Sequence, residues 1–174
     1  NKKIISISLR KRIKPKLNFN LKLVKLKREQ PQFKNLKYKK ILSYLSKVDN
    51  SKSDVALVFD KKILETGTSN LLFVKGSKFF TPKKDYYQGN TYKFFRTKIN
   101  KIRKKDILLK EINEYDEIIL IGSGKGVASV RTINQLNWKR KNLNKFKFLS
   151  NHYDVAINKC NTYRFWEKEI ISLI

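Results

Sequence analysis

The sequence of 174 residues contains no methionine and a single cysteine, Cys160. One thiol excludes an internal disulfide and a cysteine-rich zinc cluster, and it is compatible with a reducing compartment. The sequence also lacks a run of about 18 consecutive apolar residues and a signal-peptide pattern, so we expect no membrane-spanning helix. These absences favour a cytoplasmic protein that binds no metal.

Acidic residues are scarce too: 14 Asp and Glu stand against 41 Lys and Arg, which gives a formal net charge of +27. Between Asn1 and Lys47 the only acid is Glu29. Such an excess of basic residues can indicate a polyanion partner such as nucleic acid. However, few of the basic residues are Arg, while Lys, Asn and Ile abound and Gly and Pro are rare. We favour the codon usage of an AT-rich genome as the cause, and nucleic-acid binding stays open as an alternative.

The length fits one well-packed domain, in which short apolar strands alternate with amphipathic helices. This alternation predicts an α/β fold. We expect strands over 4–9, 19–26, 55–59 and 117–121, and helices after residue 36, from residue 89, over 106–114 and over 144–162. Residues 46–54 are predicted to form a polar loop. We expect His152 to be exposed and Cys160 to lie in the core.

The most informative stretch is ILETGTSNLLFVKGSKFFTP, from Ile63 to Pro82. It predicts two short strands, Leu71 to Val74 and Lys78 to Thr81, joined by a turn in which Gly76 can take a positive φ. Glu65 lies just before this hairpin. The stretch therefore places one carboxylate beside a turn of small polar residues.

The order Glu-x-Gly-Thr-Ser-Asn, apolar strand, Gly-containing turn, strand and Thr-Pro resembles the signature of the class IV aminotransferases, the fold type IV pyridoxal-phosphate enzymes. The resemblance extends from about Phe33 to the C-terminus. It implies that residues 1–174 form the larger, C-terminal domain of such an enzyme, with a mixed sheet or pseudo-barrel and flanking helices. Because the sequence begins at Asn1 without a Met, we expect that a smaller N-terminal domain is missing from it.

The resemblance also implies a catalytic lysine. The family places the lysine that binds pyridoxal 5'-phosphate in a Lys-x-Leu-Asn-(Tyr/Arg) segment just before a helix, and Lys34 occupies that place. Its separation from Glu65 is similar to that of the family. Lys37 replaces the usual Asn, and this second positive charge would either activate Lys34 or mark a degenerate site. Without the resemblance, we would interpret any one of so many lysines as a solvated side chain.

Further cofactor contacts follow from the same resemblance. Glu65 would pair with the pyridine nitrogen of the cofactor and keep it protonated, so that the ring can accept electrons. Thr68 and Ser69 would be small hydrogen-bond donors near the cofactor, whereas Asn70 is expected to be structural.

Two turns are expected to bind the phosphate group. Gly-Asn-Thr opens a helix at Asn90 and Thr91, and the amides and dipole at a helix start attract anions. The second turn is GSGKGV, in which Ser123 and Gly124 match the phosphate turn of the family. This turn is not a Walker A loop or a dinucleotide fingerprint, because the Lys lacks its Ser/Thr and a strand follows.

The GSGKGV turn looks most like the aminodeoxychorismate lyase branch of the family. That branch implies release of pyruvate and p-aminobenzoate from aminodeoxychorismate, a step of folate biosynthesis. The alternatives are a branched-chain or D-amino-acid aminotransferase, and a basic nucleic-acid-associated protein on a decayed enzyme fold. The resemblance further implies a small-molecule amino substrate and a homodimer, and we expect this piece alone to be inactive.

Overall fold

A mixed sheet forms the body of the computed structural model, which describes residues 17–33 and 37–159. Its strands within these residues are β1 (Phe19–Lys25), β2 (Ser53–Phe59), β3 (Lys62–Thr66), β4 (Asn70–Lys75), β5 (Lys78–Pro82), β6 (Ile102–Lys105), β7 (Ile107–Leu108), β8 (Glu117–Gly122), β9 (Gly126–Ile133) and β10 (Trp138–Lys139). The helices are α1 (Lys39–Leu45), α2 (Asn90–Lys98) and α3 (Asn144–Asn158), with 3-10 turns at Leu109–Glu114 and Asn134–Leu136.

The strand order is β6-β5-β4-β8-β9-β1-β2-β3-β7, and β10 pairs with β9. Strand β1 runs parallel to both of its neighbours, β2 and β9, and β5 is parallel to β6. The other pairings are antiparallel. This mixed sheet with flanking helices confirms the predicted fold class.

The predicted hairpin is present as β4 and β5. Gly76 has a φ of 57°, which glycine adopts at no steric cost, and its N–H donates to the Asp116 carboxylate at 2.8 Å. Lys75 and Lys78 form the last pair of the ladder before the turn.

Both faces of the sheet are covered, which explains the nearly continuous apolar runs of β2, β4 and β8. On one face, Ile63 of β3 and Leu71 of β4 belong to the same core cluster although their strands are far apart in the sheet order. The sheet therefore curves around this core. The other face packs against α2 and α3 at one end and against α1 at the other.

Two local predictions were wrong. Residues 106–114 do not form one helix: Ile107 is fully buried and pairs with Ile63, so Ile107–Leu108 is a strand and only Leu109–Glu114 is helical, as a 3-10 turn. The predicted loop 46–54 ends early, because β2 begins at Ser53 and Asp54 is fully buried.

The prediction for His152 is confirmed, since this residue is exposed. The strand over 4–9, Lys34 and Cys160 fall outside the described residues. Among the described residues, no helix has the length and apolar character needed to cross a membrane.

Candidate active site

The turn between β3 and β4 is held by one threonine. Thr66 Oγ1 accepts the backbone N–H groups of Thr68 at 3.3 Å and Ser69 at 2.8 Å, and the Thr66 N–H donates to the Ser69 carbonyl at 2.9 Å. Gly67 has no room for a side chain, because a Cβ there would lie about 3 Å from side-chain atoms of Val55, in β2, and of α1. The small residues of this segment thus allow the turn to pack tightly below α1.

Glu65 lies at the end of β3 with only 3% of its surface exposed. Its Oε1 accepts a hydrogen bond from Arg28 Nε at 2.8 Å. The contacts of Oε2 are longer: Arg28 Nη2 at 3.5 Å and the Tyr87 N–H at 3.4 Å. Burial raises the pKa of Glu65 above its usual value, and the hydrogen bond and charge of Arg28 offset part of that rise. Oε2 therefore keeps the capacity to accept one shorter, stronger hydrogen bond.

Arg28 is itself 8% exposed, and its guanidinium carbon lies 5.0 Å from the ring centre of Tyr38. The motifs in the sequence did not indicate this residue. The signal in the sequence was the residue type, an Arg within a Lys-rich segment. Unlike Lys, Arg can bind a carboxylate through two nitrogens and stack on an aromatic ring at the same time.

The start of α2 approaches the same place. The Asn70 side chain connects it to the hairpin, since it accepts the Gly89 N–H at 3.0 Å and donates to the Tyr87 carbonyl. Among the described residues no side chain caps α2, and its first turn carries no acidic residue. Its first N–H groups can therefore bind an anion.

The turn between β8 and β9 lies beside the turn between β3 and β4. A Cβ on Gly122 would lie 3.0 Å from Ser69 Oγ and 3.1 Å from the Thr68 carbonyl, so only glycine permits this approach. Ser123 and Gly124 are exposed, whereas Lys125 turns inward and is buried.

These segments surround a pocket of about 260 Å³. Five of the predicted site residues line it: Glu65, Thr68, Ser69, Asn90 and Ser123. Two others do not: Thr91 is buried in the first turn of α2, and Gly124 stands apart from the lining. Lys34, the predicted catalytic residue, lies outside the described residues, but Tyr38, shortly after it, lines the pocket.

The pocket lining offers two kinds of hydrogen-bonding group. The buried Glu65 carboxylate can accept a hydrogen bond from a protonated ring nitrogen. The hydroxyl groups of Ser69 and Ser123 and the start of α2 can donate to an anion. This donor and acceptor set suits a ligand that carries a protonated nitrogen and a phosphate group, as pyridoxal phosphate does.

The sequence and the structure of this chain are similar to those of known proteins. The sequence model of the family described as amino-transferase class IV matches residues 7–133. No curated protein matches the chain.

Among solved structures, a branched-chain aminotransferase from Thermoproteus uzoniensis aligns with a TM-score of 0.68 and 14% identity, over 79% of this chain and 50% of its own. A branched-chain amino acid aminotransferase from Thermobaculum terrenum in its PLP form gives 0.67 and 15%, over 80% and 50%. The 4-amino-4-deoxychorismate lyase from Pseudomonas aeruginosa gives 0.61 and 17%, over 81% and 53%. The chain thus spans about half the length of these proteins, and at this identity the likeness concerns the fold.

Proposed function

Because the chain belongs to the class IV aminotransferase family, we propose that its pocket binds pyridoxal 5'-phosphate and that the full-length protein is an aminodeoxychorismate lyase. The observation that supports the cofactor most directly is Glu65, a buried carboxylate at the pocket wall. One of its oxygens, Oε2, has only long contacts, at 3.5 and 3.4 Å. The choice of reaction is supported by the likeness of the GSGKGV turn to the lyase branch.

Glu65 would accept a hydrogen bond from the ring nitrogen and keep that nitrogen protonated. When bound, pyridoxal phosphate supplies an electron sink for the electrons released at the substrate Cα. Arg28 stabilises the anionic form of Glu65 and, through its contact with the ring of Tyr38, fixes the direction of the carboxylate. A carboxylate without this support would be protonated more readily in its buried place.

The phosphate group would bind to the hydrogen-bond donors of the pocket. Ser69 and Ser123 would donate hydrogen bonds from their hydroxyl groups, and the start of α2 at Asn90, which lines the pocket, would add a backbone donor and the helix dipole. Gly124 would leave the approach open, since no atom of the described residues lies within 4 Å of a Cβ placed on it.

Lys34 is proposed to bind the cofactor and to remove the Cα proton of the substrate. This role requires a lysine whose amine is neutral when it acts. Lys37, close by in the sequence, is more than half exposed and pairs with Glu29 at 3.2 Å, so water and this carboxylate screen its positive charge.

An aminotransferase is the second candidate, and the solved branched-chain aminotransferases, which align as well as the lyase does, favour it. In either case the substrate is a small amino compound, and we propose a homodimer in the cytoplasm. These proposals reject the remaining interpretation, a nucleic-acid-associated protein on a decayed enzyme fold.

The test uses the full-length protein. Borohydride reduction followed by peptide mapping should place the pyridoxyl group on Lys34, and the Lys37→Ala variant should be labelled at the same residue. A label on Lys37, or no label, contradicts the proposal. The release of p-aminobenzoate from aminodeoxychorismate would identify the lyase, and transfer of the amino group from an amino acid to a keto acid would identify the aminotransferase.

A further inference from the structure

We propose that the buried ion pair of Asp54 and Lys125 is a positioning element of the pocket, which fixes the Thr68 hydroxyl and leaves Ser69 as the hydroxyl donor of the turn between β3 and β4. The role of Ser69 toward a phosphate rests on the proposed function. The positioning of the turn does not, and it can be measured without any cofactor.

The pair joins distant parts of the chain. Asp54 comes from the start of β2 and is fully buried, and Lys125 comes from the turn between β8 and β9. Lys125 Nζ lies 2.6 Å from Asp54 Oδ2 and 4.9 Å from the ring centre of Phe19, and its side chain is 9% exposed. A lysine held this way anchors the turn that carries Ser123.

The carboxylate of Asp54 also organises the turn between β3 and β4. Its Oδ1 accepts the Val55 N–H at 2.8 Å. Its Oδ2 accepts the hydroxyl groups of Thr66 at 2.9 Å and Thr68 at 2.6 Å, in addition to Lys125. One oxygen atom thereby connects the two turns that flank the pocket.

This arrangement determines what the Thr68 hydroxyl can do. A threonine hydroxyl has a single proton, and Thr68 gives it to Asp54. Lys125 Nζ donates to the same Thr68 oxygen at 2.8 Å. Thr68 therefore has no proton left for a ligand, although it lines the pocket.

Ser69 is in the opposite situation. The partner of its hydroxyl is Thr68 Oγ1 at the long distance of 3.4 Å, and Ser69 lines the same pocket. Because Thr68 gives its proton to Asp54, Ser69 is the donor in this long contact, and its hydroxyl can turn to an anion at small cost. The charge of Lys125 is balanced by Asp54 at close range, so Lys125 acts through the geometry of the turn rather than as a free cation.

The first experiment measures hydrogen exchange of the Thr68 and Ser69 amides in the cofactor-free full-length protein. Both amides donate to Thr66 Oγ1, whose position depends on Asp54 and Lys125. Lys125→Met should accelerate their exchange by about tenfold or more, because the turn opens more often. The control Lys78→Met removes an exposed lysine and should leave both rates unchanged. Unchanged rates in Lys125→Met would overturn the proposal.

If Lys125→Met does not fold, the double variant Asp54→Asn/Lys125→Met replaces the pair with neutral groups, which buried ion pairs commonly tolerate. It should show the same faster exchange of the two amides. Protection equal to that of the wild type in this variant would equally contradict a role of the pair.

The second experiment measures the affinity for pyridoxal phosphate. Ser69→Ala should weaken it by about tenfold, as expected for one hydrogen bond to a charged group. Lys125→Met should weaken it as well, but it should add little in the Ser69→Ala background, because both act through the same hydroxyl. Fully additive losses would contradict positioning through Ser69. A wild type that binds no cofactor would contradict the proposed function, while the exchange rates would still decide the role of the pair.

Discussion

Two glutamates lie buried at strand ends of the same sheet, and their surroundings differ in one decisive respect. Glu117, at the start of β8, is fully buried, and its two oxygens each accept one backbone N–H at 2.8 Å, from Lys145 and Phe146 in the first turn of α3. Glu65, at the end of β3, has one short contact to Arg28 and two long ones, and it faces a pocket.

The comparison shows that burial alone does not mark a functional carboxylate. Glu117 compensates for its burial with the free N–H groups and dipole of a helix start, so its hydrogen-bonding capacity serves the fold. Glu65 keeps an incompletely used oxygen at a cavity wall. Unused acceptor capacity toward a cavity, rather than burial, separates the site from the scaffold.

The largest effect is expected from Glu65→Gln in the full-length protein. A neutral amide cannot hold the ring nitrogen protonated, so turnover should fall on the order of 10²-fold or more. Cofactor affinity should change much less, because the phosphate contacts remain. Steady-state assays and cofactor titration give the two values, and unchanged turnover would remove Glu65 from the site.

The matched change at the other carboxylate is Glu117→Gln. One carbonyl oxygen cannot replace two carboxylate oxygens, so one amide of α3 loses its acceptor, and the free energy of unfolding should fall by about 2 kcal/mol. Urea denaturation measures this loss. Cofactor affinity should stay at the wild-type value. A loss of binding free energy as large as the loss of unfolding free energy would show that Glu117 serves the site as well as the fold.

The smallest effect is expected from Arg28→Met, which should make the loss of folding stability depend on pH. Without Arg28, the pKa of Glu65 should rise further above its usual value, because the larger part of the offset to burial is lost. A carboxyl group with a raised pKa favours folding when protonated and loses that contribution as the pH rises through its folded pKa. The variant should therefore be less stable than the wild type at neutral pH, by less than the loss expected for Glu117→Gln, and the gap should narrow as the pH falls.

Denaturation curves of both proteins between about pH 4 and pH 8 decide this point. The same series in a Glu65→Gln background serves as the control, since the pH dependence should vanish with the titrating group. A stability gap that does not change with pH would mean that Arg28 acts through packing against Tyr38 alone.

Local patterns in the sequence were sufficient for much of the site. The hairpin was predicted because Gly76 lies between two apolar runs, and α2 because Gly89 precedes an aromatic-rich amphipathic segment. The role expected of Glu65 came from the resemblance to the class IV aminotransferases, of which its place before the hairpin is one element. In each case the residues that determine the structure are neighbours in the chain.

The parts of the site that were not predicted from the sequence depend on contacts between residues that are far apart in the chain. Arg28 meets Glu65 only once β1 and β3 share the sheet, and Lys125 meets Asp54 across a separation of 71 residues. Asp54 and Glu117 share a signal that was overlooked: each is an acid directly before a continuous apolar strand, VALVF and IILIG. An acid in that position enters the sheet with its strand and needs a buried partner, which the sequence does not name.

The position of β1 has a consequence for synthesis of the protein. Strand β1 is the first described element to leave the ribosome, yet one of its two neighbours, β9, follows about a hundred residues later. At translation rates of about 5–20 residues per second, one edge of β1 waits roughly 5–20 s for its partner. An unpaired edge invites aggregation, and charged side chains discourage it. We expect Lys22 and Lys25, which are exposed on β1 in the finished fold, to protect the nascent chain during that interval.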